Sequence, residues 1–353
     1  MIPQKALFYD LSNDGERIEI IKDEGIIGPV DFGFKHKDKL VIGTGALAGS
    51  IIPGTRRLIF TGPSPVWGNF YISTMGGAAL IFHKTSLNYL VLEKAAKETS
   101  ILRINYEDGK ILTKLEPVVD VERIWQDYKG KKGTYAMQQY IYDKYGKEFK
   151  DCRILSVGPA AKHTIIGAIL SIPLENGQFN NVDTWAGRGG LGSLLFQRYN
   201  LAGIIYGGDY CCDFDFRDLG KINEFFEKNF KKKMMVEDIE ATEKYRYNPA
   251  FNTGGTFGVN YARLKESIIF FNWQSVYLED EARLKVHTEF IVNHYLKQFN
   301  EETIVPRKFK HCGEPCPAVC KKMHGEFKKD YEPYEALGPQ CGIFDQRAAE
   351  KTN

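Results

Sequence analysis

The chain has 353 residues and an apolar fraction of 43%, enough for two ordinary domains with sizeable cores. Lys and Arg number 47 and Asp and Glu 45, a net charge of +2, so no global basic field argues for nucleic acid as a partner. The N-terminus, MIPQKALFYD, has no basic stretch leading into an apolar run. The longest apolar runs, such as IIGAILSIPL, are too short for a spanning helix, so the sequence reads as cytoplasmic with no membrane partner.

In chain order, KLVIGTG, RRLIFTG, LNYLVLEK, CRILSVGP and AGIIYGG are strand-length apolar runs, each closed by Gly, Pro or a charge. A few helical stretches are expected among them, such as 135–149, with Met137, Tyr140, Ile141 and Tyr145 on a common face. From about residue 214 the chain turns charged and helical. In LKVHTEFIVNHYLKQFN, Ile291, His294, Tyr295 and Phe299 are expected on one face, and Lys231–Lys233 reads as a solvated helix end. At the end of the chain, Asp345 is a candidate N-cap for a helix of about two turns. These patterns predict an α+β chain: a β-rich N-terminal domain over 1–212 and an incomplete, mainly helical domain over 213–353.

Seven cysteines do not make a disulfide framework in a chain of this size. Cys152 reads as a small buried hydrophobe, and Cys211 and Cys212 as packing at a strand end. The stretch HCGEPCPAVCKK is different, because Cys312, Cys316 and Cys320 stand four residues apart. Pro315 and Pro317 forbid a helix there, so a loop wrapping around something is expected. Gly313 lets backbone amides turn inward, which suits an anionic iron–sulfur cluster. Zinc favours C-x2-C pairs, which this chain lacks. Zinc and purely structural thiols stay open alongside the cluster.

TWAGRGGLGS (184–193) matches the dinucleotide pattern G-x-G-x-x-G at Gly187, Gly189 and Gly192, so an NAD-dependent dehydrogenase competes. Against it, the preceding GQFNNVDTW is polar rather than a buried strand. Arg188 among the glycines suggests a loop that grips phosphate with amides and a guanidinium. Residues 54–79 form a second glycine-rich stretch with paired arginines, Arg56 and Arg57. Two such loops fit a large, multiply charged cofactor better than one dinucleotide.

VIGTGALAGS, Arg57, Ser64-Pro65, Met75-Gly76-Gly77, AGRGGLGS, the three-cysteine loop and YEPYEALGPQCGI, in that order, resemble the aldehyde ferredoxin oxidoreductases, tungsten or molybdenum bis-pterin enzymes. KYRYNP, FNTGGTFGVNY and CGEPCPAVCKK resemble the branch that oxidises glyceraldehyde 3-phosphate. The resemblance implies an N-terminal β-sheet that cradles a tungstopterin or molybdopterin. It makes Cys312, Cys316 and Cys320 three of four ligands to a 4Fe–4S cluster and sets Arg57 between cluster and pterin. Thr74 and Gly76 would lie at the pterin phosphates, with a bridging Mg2+, although the wider family carries Asn where Thr74 stands. Thr184, Trp185, Gly187 and Arg188 would form a second pterin contact, and Glu332 an acid near the metal. From the sequence alone Glu332 reads as a surface glutamate.

The implied activity is oxidation of an aldehyde, glyceraldehyde 3-phosphate to 3-phosphoglycerate, with ferredoxin as acceptor. The implied fourth cluster cysteine has no counterpart here, since Cys341 matches a non-ligand. The chain is therefore expected to be the N-terminal part of a longer enzyme, with the missing C-terminal part as a partner and little activity alone. An inactive remnant or scaffold piece is the alternative. Arg246 and Lys244 are candidates for holding the substrate phosphate.

Overall fold

The structure is a computed structural model that describes residues 4–22, 28–211, 216–243 and 245–352. The expected domain boundary at 212/213, Cys212 and Lys244 lie outside the described residues. The chain divides into two compact units, Met1–Lys221 and Ile222–Asn353.

The first unit is built on two six-stranded mixed sheets. One contains β1 (Gln4–Asp10), β2 (Gly15–Ile21), β3 (Val41–Gly43), β4 (Leu58–Pro63), β5 (Phe70–Met75) and β6 (Tyr89–Glu93), in the order β2-β1-β6-β3-β4-β5. Only β1 and β6 pair in parallel. The second sheet uses β7 (Ser100–Glu107), β8 (Lys110–Pro117), β9 (Cys152–Ser156) and β10 (Ile169–Ser171). A small hairpin, β11 (Leu174–Glu175) and β12 (Gln178–Phe179), precedes its last members, β13 (Thr184–Ala186) and β14 (Leu201–Gly208). The order is β13-β10-β9-β14-β7-β8. Every residue of β9 and β14 is buried, as continuous apolar runs in central strands require, whereas the edge strand β8 is largely exposed. One hydrophobic core joins residues of both sheets, among them Leu90, Ile104, Ile154 and Ile205. The helix Gly133–Tyr145 buries Met137, Ile141 and Tyr145 against it, and Tyr140 packs at its margin.

The second unit is mainly helical. Its core gathers Phe257, Tyr261, Ile291, Tyr295, Phe299 and Tyr334, with Phe257 and Phe299 stacked at 4.3 Å. His294 departs from its expected face and is exposed. Over His287–Leu296 the helix is wound as a π-helix, and its wider turn aligns Ile291 and Tyr295 while rotating His294 outward. Phe299 continues the same buried row. Asp345 caps the helix Gln346–Thr352 by accepting the Arg347 N–H at 2.8 Å.

The dehydrogenase reading of Gly187–Gly192 fails on topology. The fingerprint needs two neighbouring parallel strands joined by a helix. Here β13 is an edge strand antiparallel to β10, β10 is antiparallel to β9, and β9 to β14, so β13 and β14 run in opposite directions and are not neighbours.

Candidate functional site

In the first unit the two arginine-bearing glycine stretches meet. β4 and β5 form a hairpin in which Ile59 faces Thr74 and Leu58 faces Met75. Arg57, just before β4, donates from Nη1 to Thr74 Oγ1 at 3.3 Å, and both residues are exposed. The hairpin turn is organised by Ser64, whose Oγ accepts the amides of Val66 and Trp67 at 3.2 and 3.1 Å. The same hydroxyl donates to Gly189 O at 2.6 Å and so ties the turn to the second loop. Two positions there admit only glycine. A Cβ on Gly190, at φ +69°, would stand 2.0 Å from Ile165 O, and one on Gly189, at φ +76°, 2.3 Å from the Tyr71 ring.

Gly187 and Arg188 are exposed at the tip of this loop. Among the described residues neither Arg57 nor Arg188 is held in an ion pair. Two guanidinium groups outside any ion pair and an open glycine tip fit an anionic cofactor in chemistry. Thr184 is turned the other way. Its buried hydroxyl donates to Ser171 O at 3.0 Å and accepts from Arg153 at 3.3 Å, so that hydroxyl is committed to the core. Trp185 is held by Asp183, whose Oδ2 accepts both the indole N–H and the Tyr135 hydroxyl at 2.8 Å. Nothing in the sequence marked Asp183 and Tyr135, because the clamp joins residues 48 apart.

The second unit places the cysteine stretch in a three-stranded sheet, β15 (Phe309–Lys310), β16 (Lys321–His324) and β17 (Phe327–Lys328). The β15–β16 register pairs Lys310 with Lys321. It therefore sets Cys312 and Cys320 near the base of a hairpin loop, with Cys316 midway between them in the loop. No helix forms over 311–320, in keeping with the prolines. Burial pushes the thiols of Cys316 and Cys320 up, and Cys312 adds to it in both, while Lys321 acts the other way on Cys320. The backbone N–H of Ala318 acts the other way on Cys316. Three partly buried soft donors on one loop fit an iron–sulfur cluster in ligand chemistry. Among the described residues, no three His, Cys, Asp or Glu side chains converge closely enough to hold a metal ion.

Cys152 is a core residue, its thiol pushed up to about 12 by burial. Cys211 is exposed, contrary to its expected packing, because β14 ends three residues earlier, at Gly208. Glu332 is exposed in the first turn of the helix Tyr331–Leu337. Its neighbour Glu335, unmarked in the sequence reading, is buried. It accepts from Tyr261 Oη at 2.7 Å and Gln340 Nε2 at 3.2 Å, and burial raises its carboxyl despite those bonds. Arg246 donates to the carbonyls of Ile239 and Tyr247 at 3.0 and 3.3 Å. No described helix is long and apolar enough to cross a membrane.

Residues 29–208 match the family model for the aldehyde ferredoxin oxidoreductase N-terminal domain. Over 323 residues the chain is 40% identical to glyceraldehyde-3-phosphate:ferredoxin oxidoreductase of Pyrococcus furiosus, covering 88% of this chain and 48% of that protein. It is 38% identical to uncharacterized protein MJ1185 of Methanocaldococcus jannaschii, covering 90% of this chain and 48% of that one. The chain thus spans about half the length of these curated relatives. Among solved structures, the active-site complex BamBC of benzoyl coenzyme A reductase, bound to 1,5-dienoyl-CoA, superposes with a TM-score of 0.65 at 14% identity. That match covers 99% of this chain and 53% of the other and speaks for the fold alone. On the family match, which takes in both glycine loops and all of the first unit's strands from β3 to β14, the chain belongs to the aldehyde ferredoxin oxidoreductase family.

Proposed function

We propose that this chain is the N-terminal part of an oxidoreductase that converts an aldehyde, glyceraldehyde 3-phosphate, to its carboxylic acid, with ferredoxin as electron acceptor. The observation that carries the reading is 40% identity to a protein of that name over 88% of the chain. The joined glycine loops support it, because Ser64 ties the hairpin turn beyond Arg57 to the loop that carries Arg188. Arg57, Thr74 and Gly76 would hold one side of a bis-pterin, with Trp185, Gly187, Arg188 and the backbone of Thr184 on the other. Cys312, Cys316 and Cys320 would hold a 4Fe–4S cluster. When bound, the metal pterin supplies the two-electron oxidation of the aldehyde carbon with an oxygen from water, and the cluster carries the electrons away singly.

The chain's own part is to bind and to move protons. The guanidinium groups of Arg57 and Arg188 neutralise cofactor phosphates. The carboxylate of Glu332 takes a proton released as water adds to the carbonyl, a role open to it because it is exposed. Trp185 is oriented by Asp183, so Asp183→Asn should loosen the indole and change its fluorescence emission and anisotropy without unfolding the unit.

The test is anaerobic expression of the chain with and without a polypeptide equivalent to the second half of its relatives. Iron and tungsten or molybdenum content are measured, with glyceraldehyde-3-phosphate-dependent reduction of a viologen dye. Dye reduction that needs both polypeptides and the phosphorylated aldehyde supports the reading. Full metal loading with no aldehyde oxidation sinks the substrate assignment. No metal under either condition favours a remnant. Separately, Cys316→Ala should lower the iron bound after reconstitution by at least half while leaving the thermal transition of the first unit in place.

A further inference from the structure

The run ALAGS, which follows β3, meets the 54–79 stretch where Ser50 O accepts from Arg56 at 3.2 Å, and it lines a separate cleft open to solvent in the first unit. Its walls are Ala46, Leu47, Gly49 and Ser50 on one side, with His83, Phe216 and Arg217. His83 is only 8% exposed, and its Nε2 has no hydrogen-bond partner among the described residues. A polar nitrogen held that far from water without a partner is costly and asks for a ligand or a bound water. Gly49 lies directly against it: a Cβ there would stand 2.8 Å from Nε2.

The cleft has one cation in its lining, Arg217, among mostly apolar side chains. Arg217 donates its Nε to Gly49 O at 3.1 Å, and no described carboxylate pairs with its guanidinium. The run is folded by two successive turns, with Ala48 N donating to Gly45 O at 3.2 Å and Ser50 N to Leu47 O at 2.9 Å. The amides of Ala46, Leu47 and Gly49 take no part in those bonds, nor in any other among the described residues. Among the described residues no acidic side chain lines the cleft. Burial, followed by the charge of Arg217, lowers the pKa of His83, as a nitrogen in a positive and partly dry environment requires.

We propose that this cleft binds a small oxyanion, the phosphate group of a phosphate monoester. A guanidinium fork, backbone amides with no other partner and an orphaned imidazole nitrogen are the donors that phosphate oxygens accept from. The cleft is narrow and open to solvent, so it admits only a small head group at its mouth and leaves the rest of the molecule outside. The site is separate in its residues from Arg57, Thr74 and Arg188 and does not depend on what those residues hold.

The test is a titration of the full chain with inorganic phosphate at constant ionic strength, followed by the ring resonances of His83 and by calorimetry. The resonances are assigned by their absence in His83→Gln. A saturable shift of the His83 signals, with affinity falling at least tenfold in Arg217→Gln, supports the proposal. Arg217 is exposed, so that variant should fold, and an unchanged melting curve checks it. Tighter binding of glycerol 3-phosphate than of phosphate identifies a metabolite as the source, and equal binding identifies free phosphate. No saturable shift, equal shifts by chloride, or an unchanged titration in Arg217→Gln overturns it.

Discussion

Replacing Lys329 by methionine is expected to destabilise the second unit by about 3–5 kcal/mol, because removing one partner of a buried ionic group leaves the others uncompensated. The Lys329 side chain is fully buried. Its ammonium donates to Glu302 at 2.8 Å, to Glu350 at 2.6 Å and to Gln346 Oε1 at 2.5 Å. Arg347 reaches the same two carboxylates from the outside, and the Tyr334 hydroxyl donates to Glu350 at 2.8 Å. The cluster joins the segment before β15, the strand end after β17 and the last helix, so its loss should be felt across the unit. Changing Lys329 to Met together with Glu302→Gln and Glu350→Gln should recover much of the stability, since no carboxylate is then stranded. A single variant that melts within about 1 kcal/mol of the parent would show that water enters the cluster freely.

The same cluster sets an acid limit. Burial pushes the Glu302 carboxyl up, but the hydrogen bonds from Lys329, Arg347 and Gln298 outweigh it and hold it at about 2, against an ordinary 4.5. A carboxyl lowered on folding stabilises the fold fully above its unfolded value, and that contribution fades as pH falls through the folded one. Glu350 is lowered too, with burial opposing the bonds from Lys329, Tyr334 and Arg347. Stability of the second unit should therefore decline from pH 4.5 towards 2, as followed by circular dichroism.

Gly190→Ala should destabilise the first unit by about 2–4 kcal/mol, combining a left-handed backbone with overpacking against a carbonyl that cannot swing away. The added Cβ would stand 2.0 Å from Ile165 O. Relief requires the 187–192 loop to move off the 164–167 segment, and with it the Gly189 carbonyl that Ser64 binds. Gly187→Ala is the contrast. Its nearest neighbour would be the Trp185 Cβ at 3.8 Å, so it should fold like the parent while altering the exposed tip. Equal melting temperatures for the two variants would refute the view that this loop is braced at one end and open at the other.

Much of this was legible along the chain. The five apolar runs became β3, β4, β6, β9 and β14, because burial on one or both faces of a sheet leaves a mark in composition. Pro315 and Pro317 excluded a helix through the cysteines by their chemistry alone. Family membership was legible as well, since it rests on several motifs in fixed order. The sequence did not show that the literal G-x-G-x-x-G sits between two strands of opposite direction. Strand direction is set by pairing with β9 and β10, some 15 to 50 residues away, and a local pattern cannot encode it.

Residue types, spacings and order by themselves determined the fold class, the family and the cofactor chemistry to which the cysteines and arginines are suited. Which side chains are committed was decided only by the tertiary structure. Thr184 turned inward to Arg153 and Ser171, Glu335 rather than Glu332 was buried, and His83 was left with an unpartnered nitrogen beside Arg217. The reason is that burial and hydrogen bonding depend on neighbours brought together from distant parts of the chain, whereas a motif records only what lies next to it in sequence.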